Sequence, residues 1–112
     1  MHDPKSEEEL FSKEEWESMH EVARMLNYFV RSSKYGYVDR LANAYSLSAA
    51  IQTLEEALRE ARSAQSQGEK VHIPSDDAIK VTFELLSRRL EAAKVIASLA
   101  LAYPSRKEIG GE

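Results

Sequence analysis

The residue types best able to do chemistry in this 112-residue chain lie in one short stretch. Arg31, Lys34 and Arg40 bracket Tyr35 and Tyr37, with only Asp39 opposing them. Arginine and lysine neutralise phosphates, and an aromatic ring beside them can stack on a base. The alternative is that the tyrosines pack this turn onto the core while the charges stay solvated. A second basic group, Arg88, Arg89 and Lys94, is interleaved with Glu84 and Glu91, as on an ordinary solvated surface. Arg89 is its odd member, because helical spacing sets it among Leu85, Leu86, Ala93 and Ile96. It either snorkels or pairs with a carboxylate at the core edge, or it reaches another subunit or a phosphate. The candidate nucleic-acid-binding set is therefore Arg31, Lys34, Tyr35, Tyr37, Arg40, Arg88, Arg89 and Lys94.

Catalytic constellations are not found. Nucleophilic catalysis needs an activated Ser, Cys or Lys beside a base, yet there is no cysteine and no G-x-S-x-G. His2, His20 and His72 are far apart in sequence, and none belongs to a ligand-spaced pair. His20, among Glu17, Glu21 and Arg24, reads as solvated. The adjacent glycines Gly110 and Gly111 belong to no phosphate-binding loop. Glu7–Glu9 and Glu14–Glu17 are solvated acidic runs rather than a buried pair with split pKa values. Small helical ribonucleases of the HEPN type carry an arginine followed four to six residues later by a histidine, and no such pair occurs. The expectation is a non-enzymatic protein with no catalytic residue, no metal and no cofactor.

Composition bounds the class. A 43% hydrophobic and 30% charged chain of this length suits one globular domain. The net charge of −4 is unevenly spread. Over residues 1–17, seven acids against Lys5 and Lys13 leave −5, so the remaining body is near neutral at +1. A neutral body can still carry a local basic stripe. Met1–Glu9 is polar and acidic, without the apolar stretch of a signal peptide. The most apolar run, Val95–Tyr103, is nine residues against the roughly 20 of a membrane span. A soluble, cytoplasmic protein without a membrane partner is expected.

The elements follow from caps and periodicity. Ser12 and Glu15 form a capping box, with Phe11 and Trp16 at the staple positions. Trp16, Met19, Ala23, Leu26 and Phe29/Val30 then make a helical stripe. Arg31–Gly36 should interrupt it. Tyr37–Tyr45 reads as a short helix with Val38, Leu41, Ala42 and Tyr45 on one face. A third helix runs from Leu47 to about Gln67 and stops at Gly68. After the connector Glu69–Pro74, Ser75 caps a helix whose first turn holds Asp76 and Asp77. That last helix is expected to continue to Tyr103, a length of roughly 42 Å. It carries two apolar stripes, one through Ile79, Phe83, Leu86, Leu90, Ala93 and Ala97, the other through Val81, Leu85, Ala92, Ile96, Leu99 and Tyr103. Such a helix is either central in its bundle or covered by a partner. The expected fold is all-α, a small elongated bundle of about four to five helices with one long C-terminal helix. The expected division is an acidic segment over 1–11, a helical domain over 12–104 and a flexible tail over 105–112.

The stretch Tyr35–Ala44, YGYVDRLANA, lies between two helices. There the chain resembles the small subunit of archaeal type I-A CRISPR effector complexes (Cascade), most specifically over Val38–Ala44. CRISPR small subunits of types I-E and III are similar in size and architecture. The resemblance implies a non-enzymatic helical protein, present in several copies, that supports the guide RNA–target DNA heteroduplex and the displaced strand. Recognition would be by backbone and shape, since base pairing reads the sequence. Its implied partners are other effector subunits, copies of itself, and guide RNA and target DNA held weakly without sequence preference. Arg40 is the basic residue within the matching segment. The competing expectation is a helical protein–protein adaptor that never contacts nucleic acid.

Overall fold

The computed structural model describes residues 10–32 and 34–103. Most of the acidic leading segment, Ser33 and the tail from Pro104 onward lie outside the described residues. The described chain is all-helical: α1 (Lys13–Asn27), α2 (Tyr37–Ala42), α3 (Leu47–Ser66), α4 (Asp76–Arg88) and α5 (Glu91–Ala102). Among the described residues there is no strand, and Glu69–Pro74 is an irregular connector held down by buried Val71.

Local chemistry starts the helices where the residue types dictate. Ser12 Oγ accepts from Glu15 N at 3.1 Å, and Glu15 Oε1 accepts from Ser12 N at 2.8 Å, closing the capping box. Phe11 and Trp16 meet edge to face at 5.8 Å beside it. Ser46 and Ser75 cap α3 and α4, each accepting from the third residue on at 3.1 Å. Gly68, at φ +95°, ends α3 in the left-handed region that other residues avoid.

Helix α1 is the spine. Its buried face of Met19, Val22, Ala23, Met25 and Leu26 packs against both α4 and α5. Polar side chains of α1 pin the ends of those two helices. Glu21 Oε1 accepts from Ser75 N at 2.8 Å, while Asn27 Nδ2 donates to the carbonyl of Ala100 at 2.9 Å. The His20 ring pairs with the Tyr103 hydroxyl at 3.0 Å, so this histidine is exposed but not merely solvated.

The long C-terminal helical run is present, but it breaks. Arg89 takes an extended backbone (φ −140°, ψ 112°), and Leu90 opens α5. Helix α4 leaves Glu21 and travels back toward the start of α1, where Arg88 reaches Glu15 and Arg89 lies over the Phe11 ring. Helix α5 then returns to the far end of α1. No glycine or proline marks the break; packing imposes it. A straight rod of roughly 42 Å would leave much of two apolar stripes uncovered. Folded back, both stripes enter the core, with Leu85, Leu86, Ala92, Ala93, Ile96 and Ala97 fully buried. Of the second stripe, Leu85, Ala92 and Ile96 are core, while Val81, Leu99 and Tyr103 are half-buried against it. The chain measures 43 × 36 × 25 Å with a radius of gyration of 13.9 Å, close to the ~13 Å of a compact domain this size.

Among the described residues no helix is long and apolar enough to cross a membrane.

Two outcomes test this packing. Leu86→Ala, at a fully buried site just before the break, should cost about 2–5 kcal/mol in urea unfolding. His72 is the second. Burial, and then the nearby Arg24, push its pKa below the ordinary value, and its Nε2 has no partner among the described residues. A depressed imidazole pKa means stability that is full above the unfolded pKa and lost as pH falls through the folded one. Urea midpoints should therefore drop more for the parent than for His72→Gln between about pH 7 and pH 5.

Candidate nucleic-acid interface

The basic-aromatic turn links α1 to α2. Helix α1 ends at Asn27, and the chain continues in tight turns through Arg31. Phe29, buried at the base of this turn, lies edge-on to Tyr35 at 5.1 Å and to Tyr37 at 5.3 Å. Between the two tyrosines, Gly36 sits at φ +62° with open space around its Cα. Residues two apart usually point to opposite sides, but this left-handed link lets both rings turn the same way. They stack at 5.5 Å with 20° between planes.

Cations cover both faces of that stack. Lys34 Nζ lies 5.7 Å from the centre of the Tyr35 ring, and the Arg40 guanidinium lies 5.8 Å from that of Tyr37. The result is a four-layer column, Lys34–Tyr35–Tyr37–Arg40, standing on Phe29. Its layers differ in access. Lys34 is exposed and Tyr35 half-buried, whereas Tyr37 is only 5% exposed. Tyr37 thus corrects one expectation: its ring is packing that holds the column to the core, not a surface for a base. Burial pushes its phenol pKa up, with Glu60 and Glu56 adding to the effect.

Arg40 is also not a free charge. Its Nη1 donates to Glu56 Oε1 of α3 at 2.9 Å, and Gln52 Nε2 donates more distantly to the other carboxylate oxygen at 3.4 Å. The Arg40 hydrogen bond holds Glu56 below the usual carboxylate range and raises the guanidinium further. Arg31, by contrast, is exposed, and neither it nor Lys34 has an ion-pair partner among the described residues.

The remaining candidates form a separate place. Arg88 and Arg89 sit beside the start of α1, whereas Arg31 and Lys34 follow its end, about 22 Å of helix away. Arg88 is exposed and contacts Glu15 at 3.5 Å, a surface pair of little weight. Arg89 is half-buried, its guanidinium 5.5 Å from the centre of the Phe11 ring, and its backbone caps α4. It has the character of a packing cation. Lys94 is exposed on α5. The eight candidates therefore do not make one surface.

Sequence reasoning missed two residues. Tyr45, expected on the inner face of α2, lies beyond the end of that helix and is 89% exposed. Its backbone sits between Asn43, whose side chain bonds the Asp39 carbonyl, and Ser46, the cap of α3. The signal available was Ser46, since a cap before Leu47 puts Tyr45 outside both helices. Glu56 was the other omission, and no local pattern marks an acid sixteen residues beyond Arg40 as its partner. A groove of mixed polarity beside that pair is lined by Leu47, Ile51, Gln52, Glu55, Glu56 and Arg59 of α3 and reaches Ser87. Among the described residues no group of three or more histidine or acidic side chains gathers as a metal site.

One prediction follows from the buried ring. An acid whose folded pKa is raised contributes stability that is full below the unfolded pKa of about 10 and is lost as pH rises through the folded value. Phenolate absorbance should show one late-titrating tyrosine, absent in Tyr37→Phe, and the variant should lose less stability at alkaline pH.

The family model described as CRISPR-associated protein (Cas_Csa5) matches residues 25–100, from within α1 through nearly all of α5. No curated protein and no solved structure matches the chain. Since the match covers more than half of the chain and spans the turn, α2 and the packed helices, the chain belongs to the CRISPR-associated Cas_Csa5 family.

Proposed function

We propose that the protein is a non-catalytic small subunit of a CRISPR RNA-guided effector complex in the cytoplasm. It supports the guide RNA–target DNA heteroduplex and the displaced strand through sequence-independent backbone contacts, in several copies side by side. One observation carries the nucleic-acid part: Arg31 and Lys34 are exposed beside Tyr35, with no acid paired to either among the described residues. Two lysine or arginine charges and a ring edge suit a sugar-phosphate chain. Arg40 lies at the other end of the column, beyond Tyr37. Tyr45, at the far end of a six-residue helix of roughly 9 Å, offers a second exposed ring for an unstacked base. Membership in the CRISPR-associated family supports the assembly part.

Few charges per copy imply weak binding, and neighbouring copies on one nucleic acid multiply it. A subunit with a net charge of −4 is therefore compatible with the task. Specificity is not required of it, because base pairing supplies the sequence reading.

A second reading, an adaptor that contacts only protein, rests on Leu101, which is 60% exposed on α5. It predicts self-association or subunit binding without nucleic-acid affinity.

Fluorescence anisotropy with labelled single strands and RNA–DNA heteroduplexes separates the two. Alanine at Arg31, Lys34 and Arg40 together should weaken binding to unrelated sequences alike, and should flatten the salt dependence by about two to three in log–log slope. Equal binding by parent and triple variant at low salt would remove the turn from the interface. No binding by the folded parent, together with an oligomer in light scattering, would favour the adaptor.

A further inference from the structure

The Arg40–Glu56 pair has features that a purely structural bridge does not need. Only one guanidinium nitrogen is engaged by the carboxylate, at 2.9 Å, although arginine presents a fork able to hold both oxygens of an acid or a phosphate. Both side chains are part-exposed, 42% and 32%, so an incoming anion can reach them. Arg40 is placed independently of Glu56, because it lies over the Tyr37 ring and is carried by α2, whose Val38 and Leu41 are buried. Exposed bridges of this kind add little to a fold. Losing the bridge would therefore leave Arg40 where it is, with its charge uncovered, in the same column as Lys34 and Tyr35.

We propose that Glu56 is a built-in competitor for phosphate: its carboxylate occupies Arg40 until a nucleic-acid phosphate takes its place, and so sets how tightly each copy holds the strand. This rests on the nucleic-acid reading above and names its regulator. In the free protein Arg40 is neutralised, so the column offers Lys34 and neighbouring Arg31 alone. On binding, the guanidinium exchanges one carboxylate oxygen for phosphate oxygens, a swap between like ligands with a small net gain. Contact to any one copy is thereby kept weak and reversible, and high affinity depends on several copies engaging together.

Arg59 is the other cation near Glu56, exposed on α3 one turn further along. A test must therefore separate release of Arg40 from a general change in charge. The full-length parent, Glu56→Gln, Arg40→Gln and the double variant would be titrated with a labelled mixed-sequence RNA–DNA heteroduplex of about 20 base pairs. Thermal melts alongside would establish that each is folded. Glu56→Gln should bind about two- to fivefold more tightly than the parent. Its salt dependence should be steeper by about 0.9 in log–log slope, as for one more phosphate neutralised. In the Arg40→Gln background the same substitution should change neither quantity.

If the parent binds and Glu56→Gln binds no more tightly, the competitor role is overturned while the interface stands. Equal tightening with and without Arg40 overturns it as well, because Glu56 would then act as a distant charge. Should neither folded parent nor Glu56→Gln bind at low salt, the nucleic-acid reading itself fails and this inference with it.

Discussion

Burial of α5 between α1 and α2 is the constraint from which the rest of the molecule follows. Ala92, Ala93, Ala97 and Ala100 are all buried on this helix, and Ala23 of α1 is buried too. Side chains this small let helix axes approach closely, at the lower end of the usual 8–10 Å. An apolar helix in such a position leaves no room for a straight continuation from α4. The chain must turn back at Arg89, although no residue there is a helix breaker in its own right. Hydrophobic burial outweighs the backbone bonds forfeited at one junction, since each fully covered leucine or isoleucine is worth about 1.5–3 kcal/mol. The return path then delivers Ala100 and Tyr103 to Asn27 and His20, closing the bundle at the end of α1 from which the basic turn emerges.

That closure is what makes the turn a defined surface rather than a loose loop. Phe29 is held in the core as the stripe of α1 runs out, and it supports two stacked tyrosines. The left-handed Gly36 permits the stack, and the stack in turn fixes which cations stand above and below it. Access decreases from Lys34 through Tyr35 to Tyr37 and rises again at Arg40, so the column is wet at both ends and dry in the middle. Cation–π contacts at its two ends orient the side chains without neutralising them. Only Arg40 meets an acid. The column presents positive charge and ring edges rather than the paired donors and acceptors that tell one base from another.

The chain's net charge of −4 is concentrated in residues 1–17, and the remaining body is near neutral at +1. Locally placed cations can act within a Debye length of about 8 Å whatever the total charge of the chain. The second basic group, around Arg89, lies about 22 Å of helix away. Arg89 packs over Phe11 at the break between α4 and α5, while Arg88 and Lys94 stay exposed.

Much of the fold was legible because it is written in short-range physics. Ser12, Glu15 and Ser75 satisfy backbone groups within three residues. Gly68 permits a backbone angle by itself, and the stripes of α1 and α3 report one buried face at a fixed period. Family resemblance was likewise carried by a contiguous stretch, Tyr35–Ala44. What escaped were properties that depend on residues distant in sequence. The break at Arg89 follows from the space between α1 and α2. Tyr37 is buried and Tyr45 exposed because Phe29 covers one while nothing described covers the other. Arg40 loses its freedom to an acid on a different helix. Local spacing tells which residues can cap, turn or share a face; how much water each side chain finally meets is a sum over neighbours from the whole chain, and tertiary packing alone settles it.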